Sequence, residues 1–199
     1  MKIYDISQEL FDCCVFPGDS APFRKWAQRL SDGDSCNLTE LSLCAHNGTH
    51  VDAPFHFYEE GKTVDQLDLQ KMIGEAAVVS FEGELGEAEV DRIMETAPKR
   101  ILLKGHAVVT LEAAKALNRH EVQLVGVESQ TVGPEDAPGM VHLELLKNEV
   151  ILLEGIRLQQ VPDGIYFLNA APLNLGGADG APCRAVLIEG EERNRENGE

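Results

Sequence analysis

The chain is 199 residues long, 43% hydrophobic, and carries a formal charge of −17. That length and composition suffice for one domain with its own core. The acidic balance excludes nucleic acid and anionic membrane surfaces as partners, because phosphate binding depends on clustered Lys and Arg.

The five cysteines, Cys13, Cys14, Cys36, Cys44 and Cys183, lack Cys-x-x-Cys spacing and read as reduced thiols. Met1 to Leu10 has no apolar core and no apolar run reaches membrane-spanning length, so a cytoplasmic location is the default expectation. Ile3 to Ser7 has short-strand character, and Pro17-Gly18-Asp19 marks a turn, giving an early strand or hairpin. Trp26, the single tryptophan, reads as core or interface packing. Leu38 to Leu43 alternates apolar with polar residues, as a half-buried strand does.

That strand leads to His46-Asn-Gly-Thr-His-Val-Asp-Ala-Pro-Phe-His56, where three of the six histidines and a carboxylate fall within eleven residues. Gly48, the β-branched Thr49 and Val51, and Pro54 oppose a helix. In an extended chain His46, His50, Asp52 and His56 point the same way. A straight strand would nevertheless set His46 and His50 about 13 Å apart at roughly 3.3 Å per residue, too far for one ion. The chain must curl, and Gly48 beside the turn-tolerant Asn47 supplies the freedom. His46, His50 and Asp52 then converge on one cation. Imidazole nitrogen with carboxylate oxygen suits zinc or manganese, and three protein ligands leave a position open for water. The plainer alternative is that each histidine only satisfies backbone groups at a polar turn.

Beyond the motif, Glu59 to Lys62 reads as a turn and Val64 to Leu69 as a short helical segment. Ala76 to Phe81 reads as a buried strand, Gly86 to Thr96 as a helix ended by Pro98, and Arg100 to Lys104 as a strand. Leu111 to Leu117 reads as a helix capped by Thr110, followed by a strand from Val122 to Val127. Val141 to Lys147 has helical spacing, with Asn148 as a left-handed cap. Val150 to Leu153, Gly164 to Leu168 and Arg184 to Ile188 complete the strands. Strands alternating with helices indicate an α/β fold with a mixed sheet and crossover helices. Residues 1–190 read as a single domain, and Glu191 to Glu199, without an apolar residue, as a frayed acidic tail.

The pattern His-x-Gly-Thr-His-x-Asp-Ala-Pro-x-His-Phe from His46 to Phe57 resembles the signature of the metal-dependent cyclase-like hydrolases, the family of bacterial kynurenine formamidase and isatin hydrolase. The similarity runs from Tyr4-Asp5-Ile6-Ser7 to the closing segment Gly176 to Ala185, nearly the whole chain. The resemblance implies a swivelling β/β/α domain, a small-molecule substrate, and a homo-oligomer, dimer or tetramer, paired through its early strands. It also implies distal ligands at His142 and Glu154, which spacing alone reads as a helix-surface histidine and a solvated strand-end carboxylate. Asp52 would then bridge two ions, one held by His46 and His50, the other by His142 and Glu154, about 3.5–4 Å apart. His56 is assigned as proton carrier, able to accept a proton from water and hand it to a leaving nitrogen. Its alternative role is a hydrogen bond to a ligand. The implied activity is hydrolysis of an aryl formamide or cyclic amide by metal-activated water. By the same resemblance, Trp26 can line the pocket of a neighbouring subunit.

The chain also departs from that family. Its formamidases commonly read Gly-Ile-Asp-Thr-Pro-Ser-Val-Asp where this chain has Gly126-Val127-Glu128-Ser129-Gln130-Thr131-Val132-Gly133. They usually carry a longer loop, often with aromatic residues, where it has Lys104 to Thr110. Glu128 and Gln130 are therefore candidates for an altered pocket wall. His106 is a candidate for substrate contact, against the plainer reading of a solvated loop histidine. His120, between Arg119 and Glu121, reads as surface. The rival function is a metal-holding binding or sensor protein without useful turnover, which the retention of His56 opposes.

Overall fold

Successive side chains in a strand point to opposite faces, and the buried strands of this chain use both. The computed structural model, which describes residues 1–190, sets β5 (Ile73–Ser80), β7 (Arg100–Lys104), β9 (Leu124–Val127) and β10 (Ile151–Glu154) side by side and parallel. Ile101, Leu103, Val125, Val127 and Leu152 pack under α1 (Glu87–Met94), α2 (Leu111–Arg119) and α3 (Gly139–Leu146). Leu102, Leu124, Ile151 and Leu153 face the other side, against Ile6, Val51, Met72 and Leu187. Both layers are fully buried at their centres, so truncating a side chain such as Leu102 or Leu152 to alanine is expected to cost about 2–5 kcal/mol.

Antiparallel strands extend this centre on both flanks. β1 (Lys2–Asp5), β13 (Val186–Glu189) and β11 (Gly164–Asn169) lie beyond β5, while β4 (His50–Asp52) and β12 (Gly180–Pro182) lie beyond β10. Among the described residues these form a nine-stranded mixed sheet, the α/β architecture expected, with α1, α2 and α3 in the crossovers between its parallel strands. Thr110 caps α2 as expected, its Oγ1 accepting from the Ala113 N–H at 3.2 Å. No helix among the described residues is long and apolar enough to cross a membrane. The expected tail, 191–199, lies outside the described residues.

Four expectations need correction. Leu38 to Leu43 does contain a strand, β3 (Leu38–Ser42), but every residue in it is exposed. β3 pairs with β2 (Phe23–Gln28) in a separate two-stranded hairpin whose residues are exposed on both faces. Trp26 lies on that hairpin, half exposed, and is not part of the core. Asn148 is not the left-handed residue after α3. Glu149 takes that conformation (φ 55°), while Asn148 donates its side-chain amide to the Glu144 carbonyl at 3.1 Å. Finally, the segment read as the loop Lys104 to Thr110 holds β8 (Ala107–Val109), which pairs in parallel with β6 (Gly83–Leu85).

Candidate metal centre

The motif supplies a sheet strand itself. β4 lies between β10 and β12, and the register places His50 opposite Glu154 on one side and Asp52 opposite Gly180 on the other. Alternation turns His50 and Asp52 to one face and buries Val51 in the core. The expected curl occurs at Gly48, whose φ of +65° is a left-handed conformation that side chains disfavour. It brings His46 back across the strand. The His46 ring lies over Gly180, where an added Cβ would sit 2.7 Å from the Val51 carbonyl oxygen and 2.9 Å from His46 Cε1. His56 ends the single helical turn Pro54–His56 that follows the strand, and α3 brings in His142, which is buried.

The rings of His50 and His142 are each pinned by a backbone carbonyl through one nitrogen. His50 Nδ1 lies 3.0 Å from the Gly48 carbonyl and His142 Nδ1 lies 2.9 Å from the Pro138 carbonyl, so each donates there and its Nε2 is left facing carboxylates. His50 Nε2 is 3.4 Å from both Asp52 Oδ1 and Glu154 Oε2. His142 Nε2 is 3.2 Å from Glu154 Oε1 and 3.6 Å from Asp52 Oδ2. His46 reaches Asp52 Oδ1 through Nδ1 at 2.8 Å and Asp179 Oδ2 through Nε2 at 2.9 Å. Two compact donor triads result, His46 with Asp52 and His56, and His50 with Asp52 and Glu154. Asp52 is the carboxylate common to both. The His46 and His50 rings stand edge to face at 90°, and His50 turns toward Glu154 because β4 and β10 pair in that register.

Asp52 is fully buried, yet its Oδ2 has no hydrogen-bond partner. An unpaired buried acceptor of this kind costs about 1–3 kcal/mol, more when charged, and a cation removes that cost. Nitrogen and oxygen donors with no thiolate among them suit a divalent metal of the zinc or manganese type. The residues therefore fit such an ion.

In the metal-free protein the same groups hold protons. Burial is the largest single influence on His46 and opposes its charge, but the hydrogen bonds and charges of Asp179 and Asp52 together outweigh it and raise the ring to about 11. His50 is raised to about 10 on the same balance, by Asp52 and Glu154. Burial would raise Asp52, and the two imidazoles hold it well below the usual carboxylate range. A histidine raised above its unfolded value of about 6.5 stabilises the fold fully below that pH, and the contribution fades as pH climbs through the folded value. A cation entering here must displace those protons. Its apparent affinity is expected to rise with pH, by up to about tenfold per unit for each proton released. Zinc titrations in a series of buffers, with proton release read from the ionisation heats, check this; a pH-independent affinity would contradict it.

These groups line a cavity of about 310 Å³, together with Phe16, Phe57, Gln130 and Pro138. A larger open groove of about 840 Å³, beside Asp5, Asn169 and Arg184, contains none of the donor triads. Of the other residues singled out from sequence, Gln130 reaches the centre. Its side chain donates to the Gly48 carbonyl at 3.1 Å and accepts from Gln8 at 2.6 Å, bracing the curl. Glu128 instead accepts from the Gly105 and Leu158 N–H groups at 2.7 and 2.8 Å, tying two loops outside the cavity. His106 is exposed, and Trp26 and His106 do not line the cavity of this chain. Asp179 is the group that motif reading misses. It meets His46 and His56 from 133 and 123 residues away, and only the pairing of β12 with β4 brings it there.

Comparison with known proteins places the chain among relatives of one family. A family model described as "Putative cyclase" matches residues 4–134. Kynurenine formamidase of Bacillus thuringiensis (strain Al Hakam) is 35% identical over 202 residues, covering 92% of this chain and 95% of the relative. That of Salinibacter ruber is 35% identical over 206 residues, covering 94% and 97%. A solved structure described as a "Potential Metal-Dependent Hydrolase With Cyclase Activity" superposes with a TM-score of 0.81 at 25% identity, covering 96% of this chain and 98% of that one. Isatin hydrolase A from Labrenzia aggregata shares the fold, with a TM-score of 0.81 at 20% identity over 94% of this chain and 93% of that one.

Proposed function

The chain belongs to the cyclase family, and from that premise we propose that it hydrolyses the carbon–nitrogen bond of a small amide, an aryl formamide or a cyclic amide, with metal-activated water. The observation that carries the reading is the pair of donor triads sharing buried Asp52 at the floor of a cavity. His46, His50, Asp52, His142 and Glu154 would hold the metal, read as two ions, zinc or manganese, that share Asp52, with His56 beside them left free of the metal. Bound there, a divalent cation lowers the pKa of a coordinated water to about 7 and polarises a carbonyl.

The chain's own residues supply the rest. His56 sits at the mouth with its side chain 30% exposed, and Nδ1 is engaged by Asp179. Its Nε2 is left to accept a proton from water and return it to the leaving nitrogen. Phe16, Pro17, Phe57 and Pro138 give the cavity apolar walls suited to an aromatic ring, and aryl amines leave readily. Formanilides, isatin-like lactams and short cyclic amides, each assayed with zinc and with manganese, test the reading. Stoichiometric release of amine or ring-opened acid is expected. Metal retention without turnover on any of them would favour a binding protein instead.

The proposed assembly is a homo-oligomer built on the early hairpin. Phe23, Trp26, Leu38 and Leu41 are between 49% and 59% exposed on a two-stranded element that could not stand alone in water. The register sets Trp26 and Leu41 on one face and Phe23 and Leu38 on the other; a second copy seated on the first face would cover Trp26 and Leu41, and through that contact Trp26 could reach a neighbouring cavity. Trp26→Glu is expected to weaken self-association by at least about 2 kcal/mol, the size of a central aromatic contact. Sedimentation across a concentration series reads this, and an unchanged association constant would place the interface elsewhere.

A further inference from the structure

We propose that Asp179 is a positioning residue that fixes the His46 and His56 rings in the tautomers the centre needs; what this predicts for turnover rests on the hydrolase reading, and what it predicts for the rings does not. One carboxylate oxygen, Oδ2, lies 2.9 Å from His46 Nε2 and 3.2 Å from His56 Nδ1, so its two lone pairs accept from two imidazoles at once. The rings lie one over the other, centroids 4.1 Å apart at 34°.

Each acceptance decides a tautomer. A proton held on His46 Nε2 leaves Nδ1 as the nitrogen aimed at Asp52. A proton held on His56 Nδ1 leaves Nε2 as the basic nitrogen. His50 and His142 are fixed in the same manner by the carbonyls of Gly48 and Pro138. For His46 and His56 a side chain performs the task, so substitution can remove it. Asp179 is itself held by the sheet: its carbonyl accepts from the Ala53 N–H at 2.9 Å, and the next residue, Gly180, pairs with Asp52. The carboxylate is thus delivered by backbone pairing to the strand that carries Asp52. Orienting partners of this kind typically contribute 10–100-fold in activity or metal affinity, estimates on the order of one to two decades.

The test is nitrogen NMR of the zinc-loaded protein with labelled histidine, alongside kinetics of Asp179→Ala and Asp179→Asn. In the wild type, His56 is expected as a single Nδ1-protonated tautomer, assigned by the loss of its signals in His56→Ala. In Asp179→Ala that tautomer is expected to give way to a mixture, with kcat down about 10–100-fold, KM nearly unchanged and zinc retained at saturation. Asp179→Asn keeps an oxygen acceptor and is expected to retain more of both, which covers the case in which the alanine variant folds poorly. A wild-type His56 protonated on Nε2, a tautomer unmoved in folded Asp179→Ala, or a tautomer more disturbed in Asp179→Asn than in Asp179→Ala overturns the proposal. Absence of wild-type turnover on every amide, with the His56 tautomer as expected, counts against the hydrolase reading alone.

Discussion

His56→Ala is expected to lower kcat by about 10²–10⁴-fold, the range of a positioned proton-transfer group, while the bound metal stays in place. The expectation follows from where the ring stands. His46, His50 and His142 are largely or wholly buried and each directs a nitrogen at Asp52 or Glu154, whereas the His56 ring stands partly exposed at the mouth with Nδ1 held by Asp179. The competing role is specific, because His56 also falls in the triad with His46 and Asp52. If it is a ligand, the alanine variant loses metal in proportion to activity. Metal content and kcat measured on the same preparation separate the roles. A catalytically weak binding protein would lose little on either measure.

Asp52→Asn is expected to have the larger effect on the centre itself. Asp52 is the one carboxylate common to both triads, fully buried and lying between His46, His50 and His142. The substitution keeps the volume and removes the charge. Metal affinity is expected to fall by more than about 100-fold, beyond the range seen for outer partners, with activity falling below detection. The metal-free variant is expected to lose about 3–5 kcal/mol of stability, because one side of a buried charge cluster is left uncompensated. Thermal unfolding with and without zinc reads both effects. A variant that still gains stability from zinc as the wild type does would remove Asp52 from its central place.

Much of this arrangement is legible in the chain. The curl at Gly48 follows from the distance a straight strand would impose, and the central strands and helices follow from apolar runs bounded by Thr110, Pro98 and glycines. What escapes is long-range. Register alone sets Glu154 opposite His50 and brings Asp179 beside Asp52, and no local spacing encodes register between strands more than a hundred residues apart. The same limit explains why His142 and Glu154 emerge through family resemblance while Asp179, in the closing segment of that resemblance, receives no role. The hairpin marks the opposite case: the pattern of apolar and polar residues from Leu38 to Leu43 points to a strand but does not say that every residue of that strand is exposed.

Anomalous diffraction at the zinc edge from zinc-soaked crystals tests the central claim most directly. Density is expected within about 2.0–2.2 Å of the Asp52 carboxylate, with nitrogens of the surrounding imidazoles turned to it. Zinc bound only at surface carboxylates, with His46 still donating to both Asp52 and Asp179, would contradict it.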